Sequence, residues 1–310
     1  MSVVGLQRGN ERREAVRGAL ELVRDEVAAK VRPQTLLKPN FLSNDNPLAS
    51  TQADACRGTI DFLLSLPNVP EEILIAEGGN EKYSGQAFEN FGYHALLDEY
   101  DVPIRLIDLH QEAEWIETEI ELANGDPWLA GMPKIVVDCP CTISVAVAKT
   151  HDVLYTTLAL KNMIMGTIHK DHRVKMHGYM THGDRERPRE MQVLNRNLIR
   201  AAKYLTPDIS VIDGVKGLQG NGPGGKDAVD FGVAFAGVDV WAVDSICTKA
   251  MGFDPTNVGV GVYAEQRGLG VVDPAKIEVR GARVEDVTIS FTPHERYPEQ
   301  LEWREAAVAF

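Results

Sequence analysis

Short apolar runs alternate with longer stretches in which apolar residues recur every three or four positions. This predicts strands and helices in turn along most of the chain. Residues 2–6 read as a first strand. Over 11–31, Val16, Leu20, Val23 and Val27 fall at helical spacing, and Pro33 closes the helix. Strands follow at 35–38, 73–77 and 104–109. Between them, helices are expected at 52–66 and at 87–100, the second broken near Gly92. Residues 115–122 alternate like an exposed strand, with Asn124-Gly125 as its turn. Further strands are expected at 134–138, 143–149, 209–213 and 229–236. Helices are expected at 156–164, at 188–205 with proline in the first turn, and at 239–251 with Gly252 as the cap. Residues 165–187 carry no clean period. The last fifty residues suggest a short helix and two weak strands.

Strands and helices in this alternation imply an α/β fold: a mostly parallel sheet with helices on both faces and an active site at the carboxyl ends of the strands. No internal repeat, low-complexity run or long linker interrupts it. Residues 1–310 therefore read as one α/β domain, with a subdomain division, if any, near 125–135.

Composition narrows the class. The chain has 310 residues, 44% hydrophobic and 25% charged, enough apolar material for a sizeable core. No run of about 18 apolar residues exists, so no membrane span is expected. The first residues lack the basic-then-apolar order of a signal peptide, and four cysteines make no disulfide framework. A reducing cytoplasm is the expected setting. The net charge of −13 argues against nucleic-acid binding. That charge is uneven. Residues 149–203 carry a net +6, leaving −19 on the remainder, and hold five of the eight histidines. Such a segment is either a basic surface face or a positive site for an anionic ligand. Homo-oligomer formation is left open.

The strand ends carry the candidate chemistry. The apolar strands hand over to Lys38-Pro-Asn40, to Glu77-Gly-Gly-Asn80, to Lys149-Thr-His151 and to Asp213-Gly214. Open parallel sheets bind ligands at that edge. Lys38 and Lys149 suit a carboxylate or phosphate, and a lysine near other cations can also act as base or nucleophile. Glu77 and Asp213 suit acid–base work or a divalent cation; the alternative is a cap or loop bond. His151 is the proton-transfer candidate. Lys161 and Asn162 interrupt the apolar stretch 158–165, so Lys161 must find an ion pair or a polar cavity.

His169-Lys-Asp-His172 has the spacing that sets two rings on one helix face, but no third ligand stands at a recognised distance. The run Gly220-Asn-Gly222-Pro-Gly-Gly225-Lys226-Asp227 matches a P-loop for seven places. It fails at the eighth, where Asp227 replaces Ser or Thr, and a strand pattern follows. A nucleoside triphosphatase is rejected. A looser backbone cradle through Gly220 and Gly222 remains, as does an ordinary turn. Cys139-Pro-Cys141 fits neither a thioredoxin nor an iron–sulfur pattern.

Leu37-Lys-Pro-Asn40, Glu77-Gly-Gly79, Ala148-Lys-Thr-His151, Leu160-Lys-Asn162 with Gly166, and Asp213-Gly through Gly220-Asn-Gly-Pro223 resemble, in this order, the DUF362 family. The resemblance runs from about residue 35 to 270 and includes the helix from Asp239 to Met251-Gly252. Many members carry a ferredoxin-like cluster domain with repeated Cys-x-x-Cys spacing, and this chain has none, which weakens a redox role. The resemblance implies a site using Lys38, Asn40, Lys149, His151, Lys161, Asn162 and His177, without supplying its chemistry.

The expectation is an enzyme acting on a small anionic substrate, a carboxylate or a phosphate ester. Lys149, Lys161 and His151 are its catalytic candidates, and Lys38, Asn40, Asn162, Gly220 and Gly222 its substrate contacts. Glu77, Asp213 and His177 are candidates to hold a divalent metal ion. Isomerase or lyase chemistry by lysine and histidine, and metal-assisted hydrolysis, both remain open. So does a non-catalytic protein that binds a metal or cofactor.

Overall fold

The computed structural model describes residues 1–80 and 84–309. Its strands are β1 (Ser2–Arg8), β2 (Gln34–Lys38), β3 (Glu72–Glu77), β4 (Ile104–Asp108), β5 (Trp115–Glu121), β6 (Pro127–Pro133), β7 (Thr142–Thr150), β8 (Thr156–Thr157), β9 (Ile209–Leu218), β10 (Ala228–Gly237) and β11 (Ile277–Gly281). Among the described residues they form a nine-stranded sheet, ordered β11-β1-β10-β9-β7-β2-β3-β4 with β8 on β7, and a separate β5–β6 hairpin. The block β9-β7-β2-β3-β4 is parallel throughout. Only β10 and the two-residue β8 run against the rest. Residues 125–135 fall at the hairpin's turn, along its second strand and at the start of the helix beyond it.

The central strands carry apolar residues on both of their faces because both faces of the sheet are covered. Side chains alternate across a strand. Leu36, Leu74, Ala76, Ala146 and Ile212 therefore join one core, while Leu37, Ile73, Ile75, Val145 and Val211 join the other. The helices Arg12–Glu21 and Ala53–Leu64 cover the second face. Ala159–Met165, Arg187–Leu205 and Val240–Ala250 cover the first. Among the described residues no helix is long and apolar enough to cross a membrane.

Three expectations are corrected. The strand expected at 134–138 is a short helix, Lys134–Val137, entered through Pro133 and carrying a Lys134–Asp138 ion pair. Its polar ends sit on one turn, and only Val136 is fully buried. The helix expected over 11–31 divides at Val23 into Arg12–Glu21 and Arg24–Ala28, although all four spaced apolar residues are buried. The strand expected to end at Asp213 continues to Leu218, because β10 turns back beside it and pairs Ala228 with Leu218. Of the two weak strands expected in the last fifty residues, one forms among the described residues, β11, parallel to β1.

Candidate functional site

The parallel block delivers the ends of β2, β3 and β7 to one edge. There an open cavity of about 560 Å³ lies against the segment 165–185, a size that suits a small molecule. Lys149, His151, Asp152, Lys161, Arg173, His177 and Arg185 line it, with Asn40, Glu77 and Asn162.

Beneath this cavity runs a buried polar chain. Lys38 is fully buried and paired with the Glu77 carboxylate. Its ammonium also donates to the Pro39 carbonyl (2.8 Å) and Asn162 Oδ1 (3.3 Å). Asn40 Nδ2 donates to the same Asn162 oxygen at 3.0 Å. Asn162 Nδ2 donates to the Lys38 carbonyl and Ser144 Oγ, each at 3.0 Å. Lys149 Nζ donates to Asn40 Oδ1 (2.7 Å) and the Ala49 carbonyl (2.6 Å). A methyl group at Gly166 would run into the Lys38 ammonium and the Glu77 carboxylate, so glycine there leaves the pair its space.

Lys149, Lys161 and Arg173 make no ion pair among the described residues. The Lys149 acceptors are neutral. Burial, and secondarily Lys161, pull Lys149 down to about 7. Lys161 makes no hydrogen bond or ion pair among the described residues, and burial lowers it to about 8. Arg173 gives its protons to the carbonyls of Ile168, Gly78 and Gly79, and burial lowers it to about 10. Asp152 stays ionised. Burial raises its carboxyl, but His151, His177, Arg185 and Lys161 more than reverse that.

The two histidines of the cavity present opposite faces. His151 Nδ1 accepts from the backbone N–H of Val153 (2.9 Å) and Leu154 (3.3 Å). With two N–H groups directed at Nδ1 the proton belongs on Nε2 and the ring is a neutral donor, the Asp152 carboxylate standing 3.3 Å from the same Nδ1. Burial and Lys161 hold it well below the usual histidine range. His177 is the reverse. Its Nδ1 donates to Glu190 Oε1 at 2.6 Å, and Glu190 is fully buried and charge-paired with Arg185. The His177 Nε2 lone pair has no protein partner among the described residues. Burial lowers its pKa despite the Glu190 carboxylate, so the lone pair is available at neutral pH.

The tautomer of His151 has a consequence for stability. Its folded pKa lies below the unfolded value of about 6.5. The unfolded chain therefore takes up the proton first, and stability is lost as pH falls below about 6.5. The loss is at most about 1.4 kcal/mol per pH unit for one group. Denaturant unfolding at pH 7.0 and 5.5 is expected to give a shallower pH dependence for His151→Gln than for the wild type. An equal slope would mean that the ring is not held neutral.

The other anticipated residues lie elsewhere. Asp213 sits inside β9, buried and paired with Arg12, with Oδ1 accepting from Val215 N (3.0 Å). Because β9 continues five residues beyond it, its carboxylate does not reach the cavity wall. The Gly220–Gly225 run is the connection from β9 to antiparallel β10, with no helix after it. Gly220 O accepts from Thr150 Oγ1 at 2.9 Å, and Gly222 lies against Thr150, whose carbonyl a Cβ would strike. Of this loop Pro223 lines the cavity; Gly220 and Gly222 do not. His169 and His172 also stay out of it. Each Nδ1 accepts a backbone N–H, from Asp171 and Gly131, and the rings pack on Trp115 and Trp128.

The metal set anticipated from Glu77, Asp213 and His177 does not assemble. Among the described residues no group of three or more His, Cys, Asp or Glu is arranged to hold a metal ion. Glu77 is committed to Lys38 and Asp213 to Arg12. The four cysteines are free thiols, and burial raises Cys141 to about 12.

Arg173, Arg185, Asp152 and Glu190 were not anticipated. The positive excess over 149–203 marked the region, but Glu190 reads in sequence as an ordinary first-turn acid of a helix.

Residues 35–249, which carry the cavity, match the family described as a domain of unknown function, DUF362. The chain belongs to the DUF362 family. Another protein similar to this DUF362 chain is the thylakoid-associated protein sll1697 of Synechocystis sp. It is 28% identical over 248 residues, covering 76% of this chain and 68% of the relative. Among solved structures, the lactate racemase apoprotein of Thermoanaerobacterium thermosaccharolyticum aligns with a TM-score of 0.47 and 14% identity over 77% of this chain. A protein of Thermotoga maritima aligns with a TM-score of 0.44 and 12% identity over 66% of it. The DUF362 chain spans about half the length of each of these two proteins.

Proposed function

We propose that this protein is an enzyme that binds a small carboxylate or phosphate-bearing anion and moves a proton at a carbon beside a carbonyl group, an isomerase or lyase type of step. The observation that carries the reading is the His177–Glu190 pair. A carboxylate fixes Nδ1–H and leaves the Nε2 lone pair at a cavity wall otherwise rich in cations. Arg173 and Lys149 supply the anion's counter-charge, and Lys149 and Lys161 are lowered enough to exchange protons near neutral pH. His151 Nε2–H donates to the oxygen on which negative charge develops, as a neutral imidazole can. Asn40 and Asn162 hold Lys149 and Lys38 in place. Lys38 with Glu77 forms the floor rather than a substrate contact. The cytoplasm is the setting we propose, since all four thiols are unpaired.

The test is solvent exchange. Small 2-oxo and 3-oxo carboxylates and phosphorylated ketones are incubated with the protein in deuterium oxide, and loss of the proton signal beside the carbonyl is followed by NMR. Protein-dependent exchange of at least one compound, suppressed by inorganic phosphate, is expected. Absence of exchange across the panel, with saturable binding of the same anions, would point instead to a binding protein without turnover and overturn this reading.

A further inference from the structure

We propose that Lys161 is a nucleophile that forms a covalent imine with the carbonyl carbon of a 2-oxo carboxylate bound in the cavity. The inference rests on the proposed function and names the substrate class for the same site.

The observations are geometric. Lys161 stands on the helix Ala159–Met165, which is anchored by the Asp244 carboxylate accepting from the backbone N–H of Ala159 (2.9 Å) and Leu160 (3.1 Å). Lys161 borders a small void of about 30 Å³ lined by apolar residues such as Leu158, Leu160, Trp241 and Val272, with Asp244, Ser245 and two threonines among them. It also lines the main cavity. Of the other lysines here, Lys38 is committed to Glu77 and Lys149 to Asn40 Oδ1 and the Ala49 carbonyl, while Lys170 also lines the cavity. Lys161 has no such bond among the described residues, so its lone pair is open to an electrophile bound in the cavity. A salt-bridge lysine would be held cationic; here burial, opposed by Asp152, brings Lys161 down to about 8, so a usable share of free amine is present near pH 7.5.

The step balances within the cavity. The Lys161 Nζ lone pair forms a bond to the carbonyl carbon, and one amine proton passes to the oxygen. A second proton, delivered through His177 Nε2, lets the C–O bond break, and the oxygen departs as water. A protonated imine remains. Its positive nitrogen acidifies the neighbouring C–H, the proton that His177, neutral again, removes. The substrate carboxylate would lie against Arg173 or Lys149, one carbon from the reacting centre. That favours a 2-oxo acid over a ketone with a distant anion.

The experiment is reductive trapping. The intact protein is incubated with pyruvate or glyoxylate and sodium cyanoborohydride at pH 7.5, and adducts are read by intact mass and peptide mapping. One stoichiometric adduct per chain, mapped to Lys161, is expected at millimolar substrate, and inorganic phosphate should slow its formation. Lys161→Arg is expected to lose the adduct. Because trapping is read on the wild type, a poorly folded variant leaves the result intact. No adduct, or adducts scattered over exposed lysines such as Lys216 and Lys276, would overturn the inference. Solvent exchange seen without trapping would overturn imine formation alone and leave the proposed function standing.

Discussion

His177→Gln is expected to lower protein-dependent solvent exchange ~10²–10⁴-fold, the share usual for a positioned general base, with little change in anion affinity. Glutamine keeps a polar side chain beside Glu190 but has no lone pair of comparable basicity to offer the cavity. Glu190→Gln probes the same pair differently. Its charge is one of the terms that raise His177 against the larger effect of burial. Removing that charge should lower the His177 pKa further. The wild-type exchange rate should fall as pH drops through the folded pKa, below about 6.5. In Glu190→Gln that acid limb should move to still lower pH, with a smaller loss at the optimum. A merely structural role for Glu190 would change the yield of folded protein without moving the limb. Retention of full exchange by His177→Gln would place the base elsewhere, with Lys149 next in line.

The second large effect is on stability. Lys38→Met leaves the Glu77 carboxylate buried without its cation, and losing one partner of a buried pair costs about 3–5 kcal/mol. Among the described residues only the backbone N–H of Phe41, at 3.1 Å from Oε1, would still hold that carboxylate. Typical domains have about 5–15 kcal/mol in all, so the variant should unfold at clearly lower denaturant. Glu77→Gln should cost less, because the lysine can lose its proton. The double variant Lys38→Met, Glu77→Leu should recover much of the loss, since apolar replacement of a buried pair is often near neutral. Gly166→Ala should act on the same pair by displacing the ammonium. Chemical denaturation of the four variants is the measurement. A Lys38→Met variant within about 1 kcal/mol of wild type would mean that Glu77 is protonated in the folded chain, and would remove Lys38 from the account of the floor.

The sequence by itself determined the class of fold. Strands β2, β3, β7 and β9 each hold a run with apolar residues on both faces because both sides of the sheet are covered, and such runs are visible without coordinates. It also determined where the polar edge lies, since Lys38, Glu77 and Lys149 each end a strand of one parallel block. Strand ends are local in sequence, so this part of the site was legible.

Only the tertiary structure decided which groups meet. Asp213 looked like a fourth strand end, but the length of β9 depends on pairing with β10, a neighbour that the local pattern of β9 does not name. Lys38 and Glu77 are 39 positions apart, and their mutual neutralisation turned two candidate ligands into a floor. The histidines divide by tautomer. A backbone loop folding onto His151 Nδ1 makes that ring a donor, and a helix packing Glu190 beside His177 makes the other an acceptor. Both outcomes depend on which hydrogen-bond partner arrives at one ring nitrogen, which no spacing rule encodes. The segment 149–203, with its excess of positive charge, supplies much of the cavity's lining. The packing of that segment over the strand ends selected, from eleven cations, those that face the cavity.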